Sequence, residues 1–246
     1  MEKVRLQKYI SDCGLMSRRA AETEIVNGNF TINGIVATLG DKVNGHKDEI
    51  CYKGKRIYKK HTDNYVYIMI NKPVGYVTTL SDEKGRPCVA DLIDGISTRV
   101  YPIGRLDMYS EGLLLLTNDG ALTEKLTHPR HSIPKVYRVR IDSMITEEQY
   151  KKLLSPMVIE GYQIEPVYCE VLKREENRTI LQMTLYEGRN RQIRRMCEAR
   201  DVEILRLCRI AIGTITLGNL APGKWRYLSH AQVEYLKNAM KNSKKS

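Results

Sequence analysis

The sequence predicts an α+β fold in two parts. A small N-terminal α/β module occupies residues 1–60, a larger domain built on a mostly antiparallel sheet occupies 65–232, and a basic helix or tail follows over 233–246. Three observations predict this. Helix and hairpin signals crowd the first 60 residues. A polar stretch, Lys59-Lys60-His61-Thr62-Asp63-Asn64, separates them from the rest and reads as a linker. Beyond it, short apolar runs alternate with turn residues, and few stretches have helical period.

Taken in order, Val4, Leu6, Ile10 and Leu15 give a first helix an apolar face, and Gly14 stops it. Ser17 caps a second helix to about Asn27, with Ala20, Ala21, Ile25 and Val26 facing inward. Asn33-Gly34 between apolar residues is a hairpin turn. Leu39–Val43 and Glu49–Tyr52 complete a small strand set. A strand at Val66–Ile70 enters turn chemistry at Asn71–Gly75. Leu113–Thr117 reads as a buried strand, Ala121–Thr127 as a short helix ending before Pro129, and Val136–Ile141 as a strand. Thr146–Leu154 is helical, and Tyr168–Leu172 pairs with Thr179–Tyr186. Asn190 caps a helix over Arg191–Arg200, strands follow near Glu203–Leu207 and Ala211–Leu217, and a last helix begins near Ser229.

A hydrophobic content of 42% supports a real core. No apolar run approaches the roughly 20 residues that span a bilayer, and no apolar signal segment follows Met1. Cysteines at 13, 51, 88, 169, 197 and 208 form no C-x-x-C pair, so neither zinc nor a redox dithiol is expected. These features fit a cytoplasmic protein with reduced thiols and no membrane or metal partner. The net charge of +11 favours polyanions. Residues 1–60 carry 12 Lys/Arg against 7 Asp/Glu, and 233–246 carry 4 against 1, so the surplus sits at the ends.

Four groups could carry chemistry. Gly104-Arg105-Leu106-Asp107, followed by Ser110-Glu111-Gly112, presents one carboxylate on a loop, although an Asp in a turn also serves as a backbone cap. Arg191, Arg194 and Arg195 at i, i+3 and i+4 share a helix face, either a phosphate-binding surface or an ordinary solvated one. Lys135 and Tyr137 share one face of a strand, where the ring could stack a base or simply pack. Arg18-Arg19 at a helix start oppose the helix dipole, which points to an external anion, unless they are an ordinary surface pair; Lys8 lies one helix earlier and Lys42 on the hairpin side.

The ordered set resembles a known family. Leu6 through Arg19, Asn33-Gly34 and Leu39–Val43 are similar to the S4-like RNA-binding domain of a ribosomal small-subunit protein. The remainder resembles the RsuA family of pseudouridine synthases. The matching pieces are Asn71–Gly75, Gly104–Asp107, Gly112-Leu113-Leu114, Thr117–Gly120, Lys135-Val136-Tyr137, Glu187–Met196 and Leu207-Cys208-Arg209-Ile210, spanning roughly residues 2 to 232.

The resemblance implies an isomerase that turns a uridine of ribosomal RNA into pseudouridine. Asp107 would be the catalytic carboxylate, Arg194 its ionic partner, and Tyr137 the ring packed on the target base. Arg105 would hold the RNA backbone, and Leu207 or Leu205 would line the pocket. Lys135, Arg189 and Arg191, with Lys8, Arg18, Arg19 and Lys42 of the small domain, would bind RNA. The reaction breaks the ribose–nitrogen bond and rejoins the base through carbon. Nothing is added or lost, so no cofactor is implied. The alternative class is a non-catalytic RNA-binding ribosome-assembly factor; a monomer is expected in either case.

Overall fold

A computed structural model of the chain describes residues 3–59, 65–128, 133–164 and 167–239. The centre of the expected linker, 60–64, and the end of the basic tail, 240–246, lie outside the described residues. The chain divides into two units, Met1–Tyr65 and Val66–Ser246.

The first unit runs β1 (Val4–Arg5), α1 (Leu6–Asp12), α2 (Arg18–Val26), β2 (Phe30–Ile32), β3 (Ile35–Val36), β4 (Lys42–Val43), β5 (Ile50–Tyr52) and β6 (Lys55–Ile57). The order β3-β2-β5-β6 forms one antiparallel sheet, and β1 pairs β4. Ser17 Oγ accepts the Ala20 N–H at 3.1 Å and starts α2. Asn33 and Gly34 take φ of +50° and +82°, the turn that joins β2 to β3. The core gathers Leu6, Ile10, Ala21, Ile25, Phe30, Val43 and Ile50. Ala20 and Val26, expected inside, are exposed. Only residues four apart, Ala21 and Ile25, share the inward stripe of this two-turn helix.

The second unit runs β7 (Tyr67–Lys72), a 3-10 turn (Val89–Leu92), β8 (Tyr101–Ile103), β9 (Glu111–Thr117), α3 (Gly120–Thr127), β10 (Lys135–Ile141) and α4 (Glu147–Leu154). It continues with β11 (Val158–Ile159), β12 (Tyr162–Gln163), β13 (Tyr168–Glu175), β14 (Arg178–Leu185), α5 (Gln192–Glu198), β15 (Ile204–Ile212), β16 (Ile215–Thr216), β17 (Trp225–Tyr227) and α6 (His230–Asn238). The main sheet is ordered β13-β14-β10-β15-β9-β7-β17, with β16 added to β15 and β8 to β9. Its pairings are antiparallel except β15 with β9, so the class is α+β with a mostly antiparallel sheet.

One feature of this topology positions the site. The first residues of β9, Glu111 and Gly112, pair with Cys208 and Arg209 of β15, whereas Leu115–Thr117 pair with β8. The sheet therefore forks along β9. The contact at Gly112 requires glycine: a Cβ there would lie 2.3 Å from the Arg209 carbonyl oxygen, and φ is +106°.

Several expected boundaries move. β7 extends through Asn71 and Lys72 rather than turning there, and Lys72 is fully buried. The two strands expected within 203–217 are one long strand, β15, followed by a turn at Gly213 and the short β16. The helix expected from Arg191 begins at Gln192, with Arg191 in the left-handed region at φ +51°. Residue 233 is not a boundary. It lies inside α6, whose Leu236 is fully buried in the core with Tyr67, Met69 and Leu113.

Candidate active site

The loop from Gly104 to Ser110 joins β8 to β9 at the fork. Leu106 anchors it in the core with Val89, Val100 and Leu114. Thr78 Oγ1 donates to the Leu106 carbonyl at 2.7 Å, and the Gly75 N–H donates to the Met108 carbonyl at 2.8 Å. Within this frame the Tyr109 N–H donates to Asp107 Oδ1 at 2.9 Å, and Ser110 Oγ donates to Asp107 Oδ2 at 2.6 Å. Ser110 is itself 1% exposed. Both carboxylate oxygens are thus held before any substrate arrives.

Arg194 approaches from α5. Its Nη2 donates to the Tyr109 carbonyl at 2.7 Å, and its Nε lies 3.6 Å from Asp107 Oδ1. Nε is buried and has no hydrogen-bond partner, so that contact is an ion pair still short of a hydrogen bond. The start of α5 is shaped by Gln192. Its side chain accepts the Arg189 N–H at 3.1 Å and donates to Glu187 Oε1 at 2.6 Å. Asn190, expected to cap the helix, accepts from Arg195 Nη2 at 2.8 Å instead.

The three arginines read as one face are therefore divided. Arg191 precedes the helix and pairs with Glu198 at 3.4 Å, Arg194 turns to Asp107, and Arg195 pairs with Glu160. Arg191 is not on the helix face because its left-handed backbone breaks the 3.6-residue period before the first turn.

A cleft of about 670 Å³ opens over Asp107. Arg105, Tyr137, Lys135, Arg189, Arg191 and Leu207 all line it, so most of the expected substrate-contacting residues converge. Arg194 reaches its edge through Asp107. Tyr137, in β10, stands opposite Arg209 of β15 and packs against two core clusters. Lys135 Nζ donates to the Ile133 and Tyr186 carbonyls at 3.1 and 3.3 Å. Of the two leucines considered, Leu207 lines the cleft and is 4% exposed, whereas Leu205 is 51% exposed and does not. Lys8, Arg18, Arg19 and Lys42 belong to the first unit. Arg18, Arg19 and Lys42 are exposed, and Lys8 pairs with Asp12 at 2.8 Å.

Two buried cations were not expected at the site. Lys72 is fully buried, with Nζ donating to the Pro73 carbonyl at 2.9 Å. Burial pushes its pKa down to about 8, and Arg209 pushes in the same direction, while Asp107 and Glu111 oppose them. Arg209 is 3% exposed, donates through Nε to the Leu113 carbonyl at 2.7 Å and leaves Nη2 without a partner. A lysine two residues past the apolar run Tyr67–Ile70 was the available signal for the first. A charged residue inside an apolar strand was the signal for the second. Glu111 completes the set through its ion pair with Arg206.

This arrangement offers one oriented carboxylate, a guanidinium at its shoulder and an aromatic ring in the same cleft. It suits attack on, or proton removal from, a sugar whose base enters the cleft. Burial pushes the Cys169 and Cys197 thiols up to about 12, so neither competes for such a role. No helix among the described residues is long and apolar enough to cross a membrane.

Comparison with known proteins gives concordant matches. A family model described as RNA pseudouridylate synthase matches residues 66–199, and an S4 domain model matches residues 4–50. The ribosomal large subunit pseudouridine synthase B of Bacillus subtilis is 39% identical over 236 residues, covering 95% of each chain. The dual-specificity RNA pseudouridine synthase RluF of Escherichia coli K12 is 39% identical over 240 residues, covering 98% of this chain and 80% of its own. A crystal structure of a pseudouridylate synthase superposes with a TM-score of 0.68 at 27% identity, covering 95% of this chain and 99% of the other.

Proposed function

The chain belongs to the RNA pseudouridylate synthase family, and from that premise we propose that it acts in the cytoplasm, as a monomer, on large-subunit ribosomal RNA, with Asp107 as the catalytic carboxylate. The single observation that carries the residue assignment is the pinned carboxylate. Asp107 accepts two hydrogen bonds, faces Arg194 at 3.6 Å and opens on a cleft that also holds Tyr137.

In this reading the target uridine leaves its stack and enters the cleft, at a cost of a few kcal/mol. The ring of Tyr137 packs on the base and offsets part of that cost. Asp107, with Arg194 beside it, acts on the ribose, by attack on C1′ or by removal of the C2′ proton, and the C1′–N1 bond breaks with its electron pair leaving on uracil. The base turns, C5 bonds to C1′ as the bond from Asp107 to C1′ breaks or the proton returns to C2′, the proton on C5 is released to solvent, and N1 takes one up. Ser110 and the Tyr109 N–H fix the carboxylate's direction, so little reorganisation accompanies the step. Arg105 and Arg189 line the cleft where the backbone would enter. The exposed Arg18, Arg19 and Lys42 of the S4 domain add phosphate contacts that raise affinity without touching the chemistry.

The direct test is tritium release from ribosomal RNA labelled at carbon five of uridine. The chain should release tritium from the large-subunit transcript, with one modified position found by mapping. RNA binding without release would favour the non-catalytic assembly factor.

A further inference from the structure

A second hollow, of about 270 Å³, lies between the β11–β12 hairpin and the segment that precedes α5. Arg189, Asn190 and Gln192 line both this hollow and the Asp107 cleft, so the two are neighbours on either side of one segment. The hairpin turns at Glu160 and Gly161, at φ of +53° and +79°. A two-stranded hairpin outside a larger sheet is marginal by itself. This one is braced at three points. Ile159 packs against the core, Ile164 is buried in it, and Glu160 pairs with Arg195 of α5.

The bracing holds one aromatic ring outward. Tyr162 remains 59% exposed although the Arg189 guanidinium sits 4.6 Å from its ring centroid. Arg189 is in turn fixed by Glu187 at 3.0 Å. The ring therefore has a guanidinium behind it and solvent before it, a stacking platform held in place beforehand. Extruding a nucleotide strips a stacking face from its neighbours in the strand, and an aromatic side chain beside the cleft can replace that face.

We propose that this hollow is an RNA subsite in which an unpaired base flanking the extruded uridine stacks on Tyr162. The proposal rests on the Asp107 cleft being the uridine site. The contact is through a π-face, so the subsite tolerates any base. The basic residues at its margin, Arg189 and Arg195, are each paired with a carboxylate, which makes the ring and not a free phosphate site its main feature.

The test uses the full chain and a ribosomal RNA fragment carrying the mapped target. Each of the two nucleotides on either side of the target is replaced in turn by 2-aminopurine. Binding should quench the fluorophore at one flanking position. Tyr162→Ala should abolish that quenching and weaken the dissociation constant about tenfold, as loss of one stacked base does. The accompanying loss in kcat/KM should sit in KM. Tyr162→Phe, which keeps the ring, should retain both quenching and affinity. A dissociation constant within twofold of the unaltered chain for Tyr162→Ala, or equal losses for Phe and Ala, overturns the subsite alone. Absence of tritium release by the unaltered chain on the same RNA overturns the uridine reading, and the subsite with it.

Discussion

Replacing Arg194 by Met removes the guanidinium paired with Asp107. At 3.6 Å, two unit charges attract by about 4–5 kcal/mol at an effective dielectric of about 20. The side chains are 13% and 24% exposed, so water recovers part of this, and about 2 kcal/mol remains. The same change deletes the hydrogen bond from Nη2 to the Tyr109 carbonyl, worth about 1.5 kcal/mol at the low end for a charged donor, and frees the turn that holds the carboxylate. Together these amount to about 3–4 kcal/mol, or a loss of about 200- to 1000-fold in kcat. Tritium release at saturating RNA reads it, with a thermal melt confirming that the fold persists. Arg194→Lys keeps the charge but not the planar fork, and should lose about tenfold. A kcat for Arg194→Met within threefold of the unaltered chain would refute the idea that the guanidinium supports the carboxylate.

Other perturbations follow from the same geometry. Lys72 holds its proton to about pH 8 in the folded chain but to 10.5 when unfolded. Stability of the larger unit should therefore rise between pH 8 and 10.5, by at most about 1.4 kcal/mol per unit, because the unfolded state binds more protons there. Urea unfolding should show that rise in the unaltered chain and not in Lys72→Met; parallel pH curves would contradict it. Gly112→Ala should lower the melting temperature by about 10 °C, since the added Cβ meets the Arg209 backbone and the positive φ excludes it; an unchanged melt would show that the β9–β15 contact is not tight. The double variant Arg18→Ala, Arg19→Ala should flatten the slope of log affinity against log salt by about 1–2, and an unchanged slope would remove the S4 domain from phosphate binding.

Local chemistry made much of the fold legible. Ser17 caps the helix expected after it, Thr146 and Ser229 cap helices expected to begin at or near them, and Asn33-Gly34 makes the expected turn, because these signals act within four residues. Asn190 misled for a physical reason. Gln192 Oε1 takes the Arg189 N–H, and Asn190 is drawn to Arg195. The two strands expected at 203–207 and 211–217 left out 208–210, whereas β15 runs through them with Arg209 buried inside. The fold accommodates it by giving its Nε the Leu113 carbonyl. The pairing of Asp107 with Arg194 joins residues 87 apart in the chain, so no periodicity could reveal it. It was legible only through resemblance to a family. Lys72 shows the remaining gap: it lies in the Asn71–Gly75 segment, yet its burial comes from the strands on either side of β7, which the sequence does not order.

In the proposed reading one pinned carboxylate, Asp107, performs the isomerisation. Asp107→Asn keeps the shape of the side chain and removes its charge. Measured side by side on labelled large-subunit RNA, the variant should bind within about twofold of the unaltered chain, a difference well under 1 kcal/mol, and release no tritium. Sustained release by Asp107→Asn would move the chemistry to another residue and leave Asp107 as the cap of its own turn.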